Sequence, residues 1–288
     1  MNALLKKIIG KFGLELRRTN PKPLLNLYNA YTPSEIEEKR FYNLGAGSFS
    51  HPYWTNIDKK SEWYKGYAKV PFIEYDLFSL QPLPIAAKSA SIIYCSHTLE
   101  HVNDASVKHL LSEAYKALKP GGYLRIITPN IELQYRAYVE NDRDYFFWID
   151  SYSAPDDVQR SGLKIGLDKA STAQIFLEDF ASYASELPVK GSEKRISDDE
   201  LKKLFETKTF EEALNHCTAL CSIDLQKQSP QNHINWFSER KLRRMLQEAG
   251  FQKIYQSAYG QSHCSPLRDI NFFDTTLPKV SLYMEAVK

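Results

Sequence analysis

With 288 residues, 43% of them hydrophobic, the chain suits one large α/β domain carrying an insertion. A formal net charge of +2 gives no global drive toward nucleic acid. Four cysteines (Cys95, Cys217, Cys221, Cys264) lack a zinc-like pair and are too sparse for a disulfide framework, which points to reduced thiols in a cytoplasm. No apolar run reaches the ~20 residues of a membrane span, and no signal-peptide cleavage pattern follows the N-terminus.

Residues 1–18 place Leu4, Leu5, Ile8, Ile9 and Phe12 at helical spacing, with Lys6, Lys7, Lys11, Arg17 and Arg18 mostly outside that stripe. This basic amphipathic helix has two readings: packing on its own domain or on a partner subunit, or contact with the inner face of a membrane. Pro21 to Pro33 then predict an extended arm over the surface, so residues 1–40 form an N-terminal helix and arm.

The stretch from Phe41 to Asp58 reads as a strand, a tight turn at Gly45-Ala46-Gly47, and a second strand over Tyr53 to Ile57 closed by Asp58. A carboxylate beside a glycine turn suits a ribose diol, because one acid accepts from both hydroxyls. Val70 to Leu77 is a third strand candidate, with Asp76 and the Leu77 N–H placed for an adenine ring. Ser91 to Cys95 reads as a buried parallel strand, followed by the polar run Ser96-His97-Thr98-Leu99-Glu100-His101 where such sheets bind ligands. A helix follows, capped by Asn103 or Asp104, and Tyr123 to Thr128 is the next strand.

Residues 131–231 lose the strand signal. Ser197-Asp198-Asp199-Glu200 is a capping box, and the aromatic run Tyr145-Phe146-Phe147-Trp148 suits a core. We expect a mainly helical insertion that covers the open end of a sheet begun by residues 41–130. Residues 232–288 complete the sheet with a helix capped by Ser238 and strands over Phe251 to Ala258 and Val280 to Val287, one antiparallel to the rest.

Together these motifs resemble the class I S-adenosylmethionine-dependent methyltransferases with a type 11 core, over roughly residues 41–130 and 232–288. Asn43-Leu44-Gly45-Ala46-Gly47 is similar to the family's first motif, Asn56-Ile57-Asp58 to its ribose acid and Glu74-Tyr75-Asp76-Leu77 to its adenine motif. Ser96 to Val102, Leu118 to Gly122 and His233-Ile234-Asn235-Trp236-Phe237 follow in the family's order. Asn43 stands where the family has an acid, Ser48 where it often has a third glycine, and the stretch before Asp58 is too short for the usual first helix.

The resemblance implies a Rossmann-like sheet, S-adenosylmethionine as cofactor, and a donor site of Asn43, Gly45, Ala46, Gly47, Asp58, Asp76, Leu77 and Ser96. The compact first motif and the tail Ser281 to Ala286 further resemble bacterial cell-surface polysaccharide methyltransferases, which implies O-methylation of a sugar or glycan precursor. Another small molecule, a lipid or a phosphate-containing metabolite, and a non-catalytic binding protein are the alternatives. A hydride-transferring dinucleotide enzyme fits poorly, because Ser50 stands where its fingerprint wants glycine or alanine.

Transfer to a hydroxyl needs a base, and His97 and His233 are the candidates. Each has a structural reading too, His97 as a shaper of the cofactor loop. His97-x-x-Glu100-His101 would gather metal ligands if the loop were helical. With no later ligand evident, no metal is expected, and Glu100 and His101 are read as bracing the loop. Acceptor identity and oligomeric state are left open.

Overall fold

The computed structural model describes residues 22–60 and 70–288, so the helix expected over residues 1–18 lies outside the described residues. Its frame is a seven-stranded sheet in the order β3-β2-β1-β4-β5-β7-β6. The strands are β1 (Phe41–Leu44), β2 (Trp54–Asp58), β3 (Ile73–Glu74), β4 (Ala90–Ser96), β5 (Leu118–Pro129), β6 (Lys253–Gln256) and β7 (Ser281–Val287). The pairs among β1 to β5 are parallel, and β7 runs antiparallel between β5 and β6. This is the mostly parallel Rossmann-like sheet that the sequence predicts. Three bounds differ: β3 and β6 are shorter than expected, and β5 begins at Leu118, which pairs with Ala90 ahead of a register shift.

Alternation along β4 sorts the two faces. Ile93 and Cys95 face a core built with the helices α2 (Asp104–Ala117) and α9 (Glu239–Glu248). Val107, Leu110 and Leu111 line α2, and Leu242, Met245 and Leu246 line α9, at the spacing of one helical face. Asn103 caps α2 by accepting from Ser106 N at 2.9 Å, and Ser238 caps α9 from Lys241 N at 3.1 Å.

The opposite face is covered differently. Adjacent parallel strands usually need a crossover of a dozen residues or more, often a helix, yet residues 45–53 join β1 to β2 with none. Aromatic side chains take the helix's place: Phe41, Trp54 and Tyr94 of the sheet pack against Tyr28 of the N-terminal arm and Phe272 and Phe273 of the late loop. Tyr28 links them, its hydroxyl accepting from Trp54 Nε1 at 2.8 Å and meeting His51 Nε2 at 3.2 Å. The arm is therefore more than an extended strap. It contains the short helix α1 (Pro33–Glu37), and its Glu35 accepts from Ser91 Oγ and Lys119 Nζ at the starts of β4 and β5. Burial works against the Glu35 charge, but Lys119, Ser91 and Thr32 hold its carboxyl down at about 2.

Between β5 and α9 lie α3 (Ile131–Glu140), α4 (Pro155–Ser161), α5 (Thr172–Ala181), α6 (Asp198–Thr207), α7 (Phe210–Ala219) and α8 (Ile223–Gln228). They have their own core, in which Phe146, Phe176, Phe180 and Leu201 are buried. The capping box at α6 is formed as the sequence predicts, with Ser197 and Glu200 exchanging bonds. Tyr135, Tyr138, Tyr145 and Trp148 pack against this core, whereas Phe147 is exposed. All four cysteines are free thiols, and among the described residues no helix is long and apolar enough to cross a membrane.

Candidate active site

The C-terminal ends of β1, β2 and β4 meet at the first half of the site. Gly45 and Gly47 adopt φ of +67° and +53°, which glycine enters at little steric cost. Gly45 N donates to Ile57 O at 2.9 Å, and Gly47 N donates to Asp58 Oδ2 at 2.7 Å, so the turn is tied to the end of β2 at two points. A Cβ at Gly45 would overlap the Thr98 side chain, which sits under the turn. Gly45→Ala is therefore expected to cost about 2–4 kcal/mol, the left-handed backbone supplying 1–2 of it and the overlap the remainder. Gly121→Ala, at φ +77° with open space around it, should show only the backbone part in the same urea titration. Equal losses at the two positions would mean that Thr98 moves aside freely.

The other residues expected to hold the donor surround this turn. Asn43 is 4% exposed and sits in register between Asn56 and Tyr94, and Ala46 is buried. Asp76 caps the turn Leu77–Ser79 instead of closing a strand. Its Oδ1 accepts from Phe78 N at 2.9 Å, and its Oδ2 meets Lys59 Nζ at 2.6 Å. Lys59, the residue after Asp58, thereby ties Asp76 to the end of β2. Ser96 Oγ and Asn56 Oδ1 are buried without a hydrogen-bond partner. A glycine turn with no room for a side chain at Gly45, a carboxylate at its rim and unpartnered buried polar atoms fit a nucleoside-bearing donor.

The second half lies after β4, where the chain turns toward α2 and meets the segment that follows the insertion. His97 takes φ +49°, and its N–H donates to Ile127 O at 2.9 Å. Both ring nitrogens have a polar neighbour. Nε2 meets Ser281 Oγ at 2.8 Å, and Nδ1 lies 3.1 Å from Glu100 Oε1. Because the Ser281 hydroxyl donates to Leu277 O, His97 Nε2 must be the donor in that contact. Leu99–His101 form a short helical turn, and Ile234 N donates to Glu100 O at 2.9 Å, which brings the segment after the insertion against it. His101 and His233 rings are consequently in edge contact, with centroids 4.7 Å apart. Glu100, His101 and His233 each present one potential ligand atom, all within 4.8 Å of one another. His233, supplied across the whole insertion, is thus the residue that completes this cluster.

Helix α5 completes this half. Asp179 O accepts from His233 Nδ1, and Asp179 Oδ2 accepts from Gln134 Nε2. Glu100, Gln134, Asp179 and Trp236 are among the residues lining a narrow cleft.

Charge states diverge within this cluster. Burial opposes the Glu100 charge, and the carboxyl is held down at about 2 only while the rings beside it, His97 first and then His101 and His233, carry positive charge. Burial lowers His233 to about 4, with His101 adding to the shift. Burial raises Asp179 well above the ordinary aspartate range, helped by Glu178 and Glu100, and raises Glu178 from 4.5 to about 7. From pH 4.5 to about 7 the folded protein thus keeps a proton on Glu178 that the unfolded chain has released, so stability falls as pH rises through that window. Glu178→Gln should flatten that slope in denaturant titrations, and an unchanged slope would place its origin elsewhere.

Thr98, Lys59, Gln134, Glu178 and Asp179 were not singled out from the sequence as site residues. A signal did exist for the last two, since Ile175-Phe176-Leu177-Glu178-Asp179-Phe180 sets two acids inside an apolar helix.

A family profile described as a methyltransferase domain matches residues 30–256. No curated protein sequence matches the chain. Among solved structures, the chain is similar to a methyltransferase from Thermotoga maritima described as a possible histamine N-methyltransferase, at 14% identity and TM-score 0.39, covering 99% of this chain and 98% of that one. A methyltransferase from Archaeoglobus fulgidus gives 12% identity and TM-score 0.40, with 99% and 93% covered. One from Mesorhizobium loti gives 14% and 0.39, with 92% and 96% covered. At these scores the likenesses add nothing to the family match.

Proposed function

The chain belongs to the methyltransferase-domain family, and from that premise we propose that it methylates a hydroxyl of a sugar or glycan precursor in cell-surface polysaccharide synthesis. It is a methyltransferase, and its cofactor, S-adenosylmethionine, supplies an electrophilic methyl group on a sulfonium. In this reading Gly45, Ala46 and Gly47 form the floor under the donor, and Asp58 accepts from the ribose hydroxyls. Asp76 and the Leu77 N–H take the adenine edge, while Asn43 and Ser96 bind the polar atoms of the aminoacyl end. Holding donor and acceptor in line is the larger part of the catalysis.

The observation that carries the acceptor assignment is the gathering of Glu100, Asp179 and Gln134 in one cleft, a hydrogen-bonding surface suited to a polyhydroxylated acceptor. None of the residues lining it is Lys or Arg, which favours a neutral reacting portion over a phosphate. Of the two histidines put forward as bases, His97 spends its Nε2 proton on Ser281 and turns Nδ1 to the Glu100 carboxyl, and burial leaves His233 a weak proton acceptor. Asp179 is the carboxyl that lines the cleft beside them, so in this account its ionised form takes the acceptor's proton, with burial raising its proton affinity, and His97 and His233 position the cluster.

Turnover on a panel of nucleotide sugars, glycans, lipids and amines, read as S-adenosylhomocysteine released, tests the reading. Activity confined to hydroxyl-bearing sugars supports it, and activity confined to amines or lipids overturns it. The basic amphipathic pattern of residues 1–18 supports docking at the inner membrane face when the acceptor is lipid-linked. Deleting those residues should then weaken sedimentation with anionic liposomes, and unchanged sedimentation would exclude that docking.

A further inference from the structure

We propose that Glu100, His101 and His233 bind one divalent transition-metal cation beside the cleft. Glu100 is 1% exposed, and neither of its carboxylate oxygens has a hydrogen-bond partner. A buried carboxylate left so is costly unless a positive charge neutralises it. His97 Nδ1 approaches to 3.1 Å, but with Nε2 already donating to Ser281 it forms an ion pair only when the ring carries a second proton.

The two other imidazoles are set up as ligands. His101 Nδ1 lies 3.0 Å from Asn232 O, and His233 Nδ1 lies against Asp179 O. A carbonyl oxygen only accepts, so each ring carries its proton on Nδ1 and keeps a lone pair on Nε2. A backbone carbonyl holding the far N–H is the outer-shell bond that fixes tautomer and orientation in metal-ligating histidines. The cluster sets one potential ligand atom from each of two imidazoles and a carboxylate within 4.8 Å of one another, and each ring keeps a lone pair to offer. Two histidines with one carboxylate is a ligand set that binds zinc and related cations and leaves positions open for oxygen ligands.

The ligands are also held together by their backbones. Glu100 and His101 belong to one short turn, and the Ile234 N to Glu100 O bond locks the residue after His233 onto it. The assignment gives His233 a ligating role. It is independent of which acceptor the enzyme uses, and the open coordination positions would face whatever oxygen enters the cleft.

Titration of the chelator-stripped full-length chain with Mn2+ alone, followed by electron paramagnetic resonance, tests the site, with Zn2+ as competitor. One equivalent of saturable Mn2+, displaced by Zn2+, is expected. Glu100→Gln and His233→Asn should each weaken it at least about tenfold, while His216→Gln, on α7 away from the cluster, leaves it unchanged. Circular dichroism of each variant confirms the fold, and S-adenosylmethionine affinity measured alongside reports on the donor site separately. Absence of saturable binding, or binding that Glu100→Gln and His233→Asn leave intact, overturns the proposal.

Discussion

Asp58→Ala is expected to weaken S-adenosylmethionine binding by more than about 100-fold in calorimetric titration. Two losses add. The carboxylate is the proposed acceptor for the ribose hydroxyls, and a hydrogen bond to a charged group contributes about 1.5–3 kcal/mol. Asp58 Oδ2 also accepts from Gly47 N at 2.7 Å, so its removal frees one end of the glycine turn. The mutation should barely change unfolding stability, because Asp58 is only partly buried and Gly45 N stays bonded to Ile57 O. Asp58→Asn keeps the shape and one acceptor oxygen and should lose less affinity than the alanine variant. Wild-type affinity in Asp58→Ala would remove the donor site from the end of β2.

The second large effect is on folding. Arg125→Leu is expected to lower unfolding stability by about 3–5 kcal/mol, the usual cost of stripping one partner from a buried ion network. Arg125 is 0% exposed in the middle of β5, and its guanidinium donates to both oxygens of Asp274, at 3.0 and 2.6 Å, and to Glu285 Oε1 at 2.7 Å. Ser257 Oγ and Ala258 O accept its remaining N–H groups. Without the guanidinium, two carboxylates on a covered sheet face have no counter-charge. Arg125→Lys keeps the charge but cannot bond both Asp274 oxygens in a fork, so it should recover only part of the loss. Urea denaturation of both variants settles it, and a loss below about 1 kcal/mol in Arg125→Leu would mean that water reaches the network.

The network also shows why some of this fold was hidden in the sequence. Arg125 stands between apolar neighbours in a strand, and its partners sit 149 and 160 positions away. Nothing local marks either end. The glycine turn is the opposite case. Strand, Gly45, Gly47 and Asp58 lie within one short stretch, and the backbone conformation that the glycines permit is a local property, so the turn and its acid were readable in order. The absent crossover helix was readable too, but its replacement was not. Tyr28, Trp54, Phe272 and Phe273 come from distant segments and meet only once the sheet has formed.

The acceptor side divides in the same way. His97, Glu100 and His101 stood out because polar residues directly after a buried parallel strand face the ligand crevice. That His233 completes their cluster follows from the Ile234 to Glu100 backbone bond, which spans the insertion and has no sequence signature. Asp179 belongs to a helix that the sequence assigned to the insertion as a whole, and its approach to His233 reflects how the two cores dock. Strand ends were the least legible feature, as with β3, where only Ile73 and Glu74 pair.

Transfer from S-adenosylmethionine carrying a ¹³C-labelled methyl group, followed by nuclear magnetic resonance of the product formed on a hydroxyl-bearing glycan acceptor, tests the central claim most directly. The account predicts that the label appears in a methyl ether of the acceptor and that Asp179→Asn slows its appearance while donor binding stays intact. Label on nitrogen or carbon, or label that never leaves the sulfonium with every glycan offered, would contradict it.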